Sequence, residues 1–267
     1  MSQPNTALAP ADIDRLAAFL HDARREARDV EKITDEHPGL SIADAYAIQR
    51  KLFALEMAQG GRLAGRKMGL TSPAKMKQMG VDKPIHGFLL AQGCVADGAA
   101  TPMQGLIHPK VEAEIAITTA RELKGPFCSA AQAQAAIGHV YAAIEVIDSR
   151  YRNFRFDLTS VIADNTSAAR YVIGADGVPG AGLDLRHLGV VFEKNGDVIA
   201  TGAGAALLGH PAASLAALVN LLAEQGEALP AGTLVMLGGV TEAFAVQAGD
   251  SVRVSVQGVG SAGMRFV

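Results

Sequence analysis

The stretch His108-Pro109-Lys110-Val111-Glu112-Ala113-Glu114-Ile115-Ala116-Ile117 alternates apolar and polar residues at a period of two before it turns wholly apolar. That is the period of a β-strand, whose successive side chains point to opposite faces. Val111, Ala113, Ile115 and Ile117 then face a core, while Glu112 and Glu114 stand side by side on the other face. Two carboxylates so placed repel each other unless a cation lies between them, and hard divalent ions favour carboxylate oxygens. A solvated strand face tolerates the same pair, so this segment alone leaves both readings open.

Working outward, short apolar runs punctuated by Gly, Pro and Asp recur at 63–70, 87–90, 111–119, 140–147, 169–173, 189–193, 234–237 and 252–256. These read as strands. Lys194-Asn195-Gly196-Asp197 reads as a hairpin turn, because Asn-Gly accepts the positive φ values that tight hairpins require. Two helices interrupt the series, at 130–137 and at 211–224, the second with Leu215, Leu218, Val219 and Leu222 on one face. Strands this frequent, with few helices between them, predict an α+β or mainly β domain rather than a doubly wound sheet. The first sixty residues differ in texture. Ile13, Leu16, Ala17 and Leu20 recur at helical spacing within a helix expected over 12–30, and Ser41 is the expected N-cap of a second over 42–57 that stops at Gly60-Gly61. The chain thus divides into a helical N-terminal region, 1–61, and a β-rich domain, 62–267.

Composition narrows the function. With 49% hydrophobic and 19% charged residues over 267 positions, the chain can bury a large core, which excludes a disordered or fibrous protein. Its 24 Lys+Arg against 27 Asp+Glu leave a net charge of -3 and form no basic block, so no nucleic-acid partner is expected and an anionic small molecule must be caught by local charges. Cys94 and Cys128 lack metal-ligand or redox spacing and read as reduced thiols. No signal-peptide pattern opens the chain, and no apolar run is read as reaching the roughly 18–20 residues that span a bilayer. The expected location is cytoplasmic, with no membrane partner. Neither a dinucleotide fingerprint, a P-loop nor a Gly-x-Ser-x-Gly elbow occurs.

Two further residues join the acidic pair. Glu145 lies in the almost wholly apolar run Tyr141-Ala142-Ala143-Ile144-Glu145-Val146-Ile147-Asp148, where an unpartnered carboxylate is costly. Its partner is either a cation shared with Glu112 and Glu114 or a salt bridge to Arg150 or Lys67. Lys67 sits in Gly65-Arg66-Lys67-Met68-Gly69-Leu70-Thr71, an apolar strand ending in a turn, where a partly desolvated ammonium suits proton transfer. Gly202-Ala203-Gly204 and Gly238-Gly239 allow close backbone approach to a ligand, and His108 and His210, each before Pro, read as turn residues.

At these residues the chain resembles the fumarylacetoacetate hydrolase superfamily, in its hydratase/decarboxylase branch. The resemblance runs from about Ala43 to Val267. Besides the Lys67 and Glu112–Glu114 segments, it rests on Glu145-Val146-Ile147-Asp148-Ser149-Arg150, Ala163-Asp164-Asn165-Thr166-Ser167 and Leu208-Gly209-His210-Pro211. It implies an α+β fold, a mixed β-roll or sandwich with a helical N-terminal part. It implies Mg²⁺ (or Mn²⁺) on Glu112, Glu114 and Glu145, a catalytic Lys67, and a 2-oxo acid held by Ser167 and by the backbone at Leu70 and Gly238-Gly239. Leu237 departs from the Thr of many relatives, so no side-chain contact is carried over to it. Hydratases of the branch usually carry an acidic residue after the proline of Val81-Asp82-Lys83-Pro84-Ile85-His86-Gly87, and here Ile85 stands there, as an apolar residue does in the decarboxylases. Leu70-Thr71-Ser72-Pro73-Ala74-Lys75-Met76 and the stretch 149–158 resemble the decarboxylases as well.

The implied activity is decarboxylation of 2-oxohex-3-enedioate to 2-hydroxypenta-2,4-dienoate and CO₂, in meta-cleavage catabolism of aromatic compounds. The alternatives are 2-hydroxypentadienoate hydration with Asp82 or another group placing the water, acylpyruvate hydrolysis, and non-catalytic binding of 2-oxo acids. The resemblance also implies a homo-oligomer and a complex with the hydratase of the next step. Arg150, Arg155 and Lys110 are the candidates for the substrate's distal carboxylate.

Overall fold

A computed structural model describes residues 8–72, 76–77 and 81–267. Pro73, Ala74 and Lys75, part of one decarboxylase-like segment, lie outside them. Three helices come first: α1 (Pro10–Arg25), α2 (Ile33–Glu36) and α3 (Ile42–Ala58). There follow β1 (Leu63–Gly69), β2 (Ile85–Leu90), β3 (Cys94–Val95), β4 (Ala100–Thr101), β5 (Lys110–Thr119), α4 (Ala130–Gln134), β6 (Ile137–Ile147), α5 (Leu158–Ala163), β7 (Ala168–Ile173), β8 (Val178–Pro179), β9 (Gly189–Lys194) and β10 (Asp197–Ala203). The chain closes with α6 (Pro211–Glu224), β11 (Leu234–Gly239), β12 (Phe244–Ala245), β13 (Ser251–Val256) and β14 (Gly260–Phe266).

The strands form two sheets. The larger runs β2-β1-β11-β5-β6-β7-β3, with β12 against β5 and β8 against β6, and the smaller runs β10-β9-β13-β14-β4. Each strand expected from the sequence is present, and the Lys194–Asp197 turn joins β9 to β10 with Asn195 at φ 56° and Gly196 at φ 89°. The alternation in β5 sorts as its pattern requires. Val111, Ala113, Ile115 and Ile117 enter one cluster with Phe192, Val252 and Val254 of the second sheet and Leu215, Leu218 and Leu222 of α6. Each Val, Leu, Ile or Phe side chain among them contributes about 1.5–3 kcal/mol on burial, so this shared core fixes the strand's register and with it the direction of Glu112 and Glu114. The segment Gly204–Glu224 is, contrary to expectation, long and apolar enough to cross a bilayer, and half of it is buried here as the core helix α6.

The N-terminal helices follow local rules and then depart from one expectation. Ser41 caps α3, its hydroxyl accepting the Asp44 N–H at 3.0 Å while the Asp44 carboxylate accepts the Ser41 N–H at 3.3 Å, a reciprocal capping box. α1 ends at Arg25, short of the expected residue 30, because its buried stripe ends at Ala23 and the chain turns at Ala27 (φ 47°). Val30 instead pairs with residue 151's neighbours, donating to Arg150 O at 2.8 Å and accepting from Arg152 N–H at 2.9 Å. Leu16, Leu20 and Ile48 share an apolar cluster with Ile85, Tyr151, Val161 and Ile162. Gln49 ties α3 down by donating to the carbonyls of His86 (3.0 Å) and Ile162 (2.9 Å).

Candidate active site

β5 lies between β11 and β6 in the large sheet, and its antiparallel register with β6 sets Glu112 directly opposite Glu145. Carboxylate oxygens of Glu112, Glu114 and Glu145 all come within 4.8 Å of one another. Glu114 and Glu145 are fully buried and Glu112 is half-buried. Beside them, Lys67 on β1 brings Nζ to 2.9 Å from Glu145 Oε2 and donates to Thr166 O at 3.2 Å. Both readings of Glu145 therefore meet in one place: it belongs to the acidic cluster, and it also pairs with Lys67.

The electrostatics of this cluster are unbalanced. Burial, then repulsion from Glu145, raises the Glu114 carboxyl well above the usual carboxylate range. Burial also raises Glu145, against the pull of the Lys67 ammonium. Glu114 Oε2 accepts the Gly238 N–H at 2.9 Å, but Glu114 Oε1 and Glu145 Oε1 have no hydrogen-bond partner among the described residues. Buried carboxylate oxygens left over in this way are costly, and a hard divalent cation is the group that three convergent carboxylates fit.

Above the cluster opens a cleft of about 1190 Å³. Glu112, Lys67, Leu70, Ser167 and Ile85 line it, as does Gly239. Gly238 itself is turned to Glu114 through its N–H, and at φ 111° a Cβ there would lie 2.0 Å from Thr71 Oγ1, so the position demands glycine. Leu237 is wholly buried in the main core, away from the cleft. Ile85, on β2 opposite Gly69, is 4% exposed and gives the wall an apolar surface.

Ser167 arrives on an unusual turn. Asn165, Thr166 and Ser167 all hold positive φ (49°, 52° and 59°), a conformation costly for residues with a Cβ. The surroundings over-determine it. Arg150 and Asp164 form a buried ion pair, and Arg150 Nη2 also donates to Asp164 O at 2.7 Å. Asn165 brackets Phe88, accepting its N–H at 2.9 Å and donating to its carbonyl at 3.0 Å. A Cβ on Gly87 would come within 2.6 Å of Thr166 Oγ1, so glycine leaves room for the turn. The result aims Thr166 O at Lys67 and leaves Ser167 Oγ buried with no hydrogen-bond partner among the described residues.

Of the other candidates, Arg150 is committed to Asp164 and does not line the cleft, whereas Lys110 and Arg155 do. His108 and His210 are the turn residues expected. Asp148 accepts the His108 N–H at 2.8 Å, and His210 Nδ1 accepts the Ala212 N–H at 3.0 Å as the N-cap of α6. Lys32, from the loop before α2, reaches the cleft although nothing in its local sequence marks it, because only the tertiary pairing of Val30 beside Tyr151 carries it there. The short helix α5, whose C-cap is Asp164, leaves no signal in the sequence, because its six residues are too few for a helical period to register.

An acidic cluster and a buried lysine gathered on one sheet of a two-sheet β-roll define the fumarylacetoacetate hydrolase class, and residues 67–267 match the family described as fumarylacetoacetate (FAA) hydrolase C-terminal; the chain belongs to it. Within the family, it is similar to a 4-oxalocrotonate decarboxylase of Pseudomonas putida, 49% identical over 263 residues that cover 98% of this chain and 100% of that one. It is also 37% identical over 254 residues to a 2-keto-4-pentenoate hydratase of Burkholderia vietnamiensis (strain G4 / LMG 22486), covering 95% and 97%. Among solved structures it superimposes on the 4-oxalocrotonate decarboxylase from Pseudomonas putida G7 complexed with magnesium and adipate, with a TM-score of 0.96, 48% identity and coverage of 98% and 99%.

Proposed function

We propose that this chain is a metal-dependent carboxy-lyase that converts 2-oxohex-3-enedioate (4-oxalocrotonate) to 2-hydroxypenta-2,4-dienoate and CO₂ in meta-cleavage catabolism of aromatic compounds. The observation that carries the reading is the convergence of Glu112, Glu114 and Glu145, with two oxygens unsatisfied, beside Lys67 in a cleft walled by Ile85. Near-full-length similarity to 4-oxalocrotonate decarboxylases, one of them solved with magnesium, supports it.

The three glutamates would hold Mg²⁺ (or Mn²⁺), and a bound ion of that kind supplies Lewis-acid stabilisation of negative charge on the 2-oxo group. The substrate's far carboxylate is a vinylogous β-keto acid. As its C5–C6 bond breaks, the electron pair moves through the C3–C4 double bond onto the carbonyl oxygen and leaves CO₂. Lys67 Nζ, held by Glu145 and Thr166 O, places a positive charge and a proton beside the dienolate. Ser167 Oγ and the backbone at Leu70 and Gly239 hold the 2-oxo acid end. Ile85 denies water an activating base next to the product.

In this reading the chemistry belongs to residues 62–267, while the helical region 1–61 contributes Lys32 to the cleft wall. A homo-oligomer, a complex with the pathway hydratase and a cytoplasmic location complete it, on the strength of the family resemblance. The test is direct: magnesium-loaded protein is mixed with 2-oxohex-3-enedioate and CO₂ is measured. Release of CO₂ with accumulation of 2-hydroxypentadienoate is expected. No release, together with hydration of 2-hydroxypentadienoate, makes the protein a hydratase.

A further inference from the structure

β5 carries Glu114, Glu112 and Lys110 on one face at successive two-residue steps, and both Glu112 and Lys110 line the cleft. Same-face neighbours on a strand lie about 6.5–7 Å apart. A six-carbon chain with five bonds of about 1.5 Å in zigzag separates its two carboxyl carbons by about 6 Å. The strand is therefore a ruler: a 2-oxo dicarboxylate of six carbons, with its oxo-acid end at the glutamates, brings its distal carboxylate one step outward, level with Lys110. Register supports the same geometry on the neighbouring strand, where Glu145 stands opposite Glu112 and Ile147, which also lines the cleft, stands opposite Lys110.

Lys110 is equipped to receive an anion. Among the described residues it forms no ion pair, and its Nζ lies 4.3 Å from the centroid of the Phe154 ring, a cation–π contact that orients the ammonium and leaves it able to donate to an anion. The rival cations are less suited. Arg150 is buried against Asp164, and Lys32 is held between Asp35 and Asp157 at 3.2 Å each. Arg155, exposed next to Phe154 and lining the same cleft, adds positive potential at the rim.

We infer that Lys110 is the specificity-determining residue that selects a six-carbon 2-oxo dicarboxylate over the corresponding monocarboxylate by pairing with the carboxylate distal to the oxo group. This deepens the decarboxylase reading and rests on it. The pairing is a ground-state contact, since the carboxylate it holds is the one lost as CO₂. Loss of Lys110 therefore raises KM for the diacid by more than it lowers kcat.

The test uses two probes that differ only at the far end, 2-oxohexanedioate and 2-oxohexanoate, titrated calorimetrically into the magnesium-loaded full chain. The wild type is expected to prefer the diacid by about tenfold or more, the value of one half-buried hydrogen bond to a charged group. Lys110→Met and Lys110→Gln, which keep the aliphatic stem, should weaken the diacid alone and erase the preference, and Lys110→Arg should restore most of it. Equal weakening of both probes, or a preference that survives in both variants, overturns the inference. The parent reading fails separately, by absence of CO₂ release from 2-oxohex-3-enedioate in the wild type.

Discussion

The Lys67 ammonium and the Glu145 carboxylate meet at 2.9 Å with neither side chain more than 3% exposed, so each is the other's answer to burial. A buried pair of this kind is bound to its partner's presence, and removing one member leaves the other uncompensated.

Lys67→Ala should accordingly do two things at once. Turnover should fall about 10²–10⁴-fold, the range of a lost acid–base group. The metal-free protein should melt earlier, with added magnesium restoring much of the loss by taking over Glu145. Calorimetric magnesium binding together with CO₂ release measures both. A variant that no longer binds magnesium, or that retains full turnover, contradicts the assignment.

Glu114→Gln separates the fold from the metal. Burial and the Glu145 charge raise the Glu114 carboxyl well above the usual carboxylate range, and glutamine matches it in shape while still accepting the Gly238 N–H. The metal-free variant should be within about 1 kcal/mol of the wild type, because a volume-conserving change leaves the packing intact. The stabilisation by magnesium, about 2.7 kcal/mol at a hundredfold excess over Kd, should disappear. Denaturation with and without the ion reads this out.

The left-handed turn at Asn165–Ser167 should behave as a positioning device for Lys67. Asn165→Ala removes both hydrogen bonds to Phe88 and frees the strained backbone. The expected signature is a kcat about tenfold or more lower with KM changed much less, and magnesium affinity retained. Parallel loss of kcat and metal binding indicates instead that the turn merely supports the fold.

Acid sensitivity should trace in part to His86. Burial, then the nearby Arg66 and Arg50 charges, lowers its imidazole to about 3, and Gln225 Nε2 lies 2.9 Å from its Nε2 while Tyr46 stacks on the ring. Below the ordinary histidine value of about 6.5 the unfolded chain takes up a proton that the folded chain refuses. Its contribution is therefore whole above that value and is lost as pH falls toward about 3. The limiting slope is about 1.4 kcal/mol per pH unit. His86→Phe, which keeps a ring against Tyr46, should flatten the stability profile between about pH 6 and 5 relative to wild type. An unchanged slope assigns the acid sensitivity elsewhere.

Most of this fold was legible because its strands carry their own period. The alternation at 110–117 predicted which residues of β5 enter the core, and the core indeed takes Val111, Ala113, Ile115 and Ile117. Glu145 was legible as an anomaly, an acid in an apolar run. β14 carries no such period, since Gly260-Ser261-Ala262-Gly263 has too little side chain to show alternation, and its place depends on pairing with β13. At the site, single residues on strands could be found by type and spacing. The turn that aims Thr166 at Lys67, the commitment of Arg150 to Asp164 and the arrival of Lys32 could not, because each is decided by contacts more than ten residues away in the chain or by backbone angles that composition does not announce.

Lys32 lies ahead of the segment matched by the family, whereas the acids and Lys67 fall within it. The cleft thus draws on two parts of the chain: the family-matched interior that holds the acids and Lys67, and a leading stretch that adds Lys32 to the wall. Grafting a different leading segment onto the same interior is then a route to new clientele with the reaction left alone.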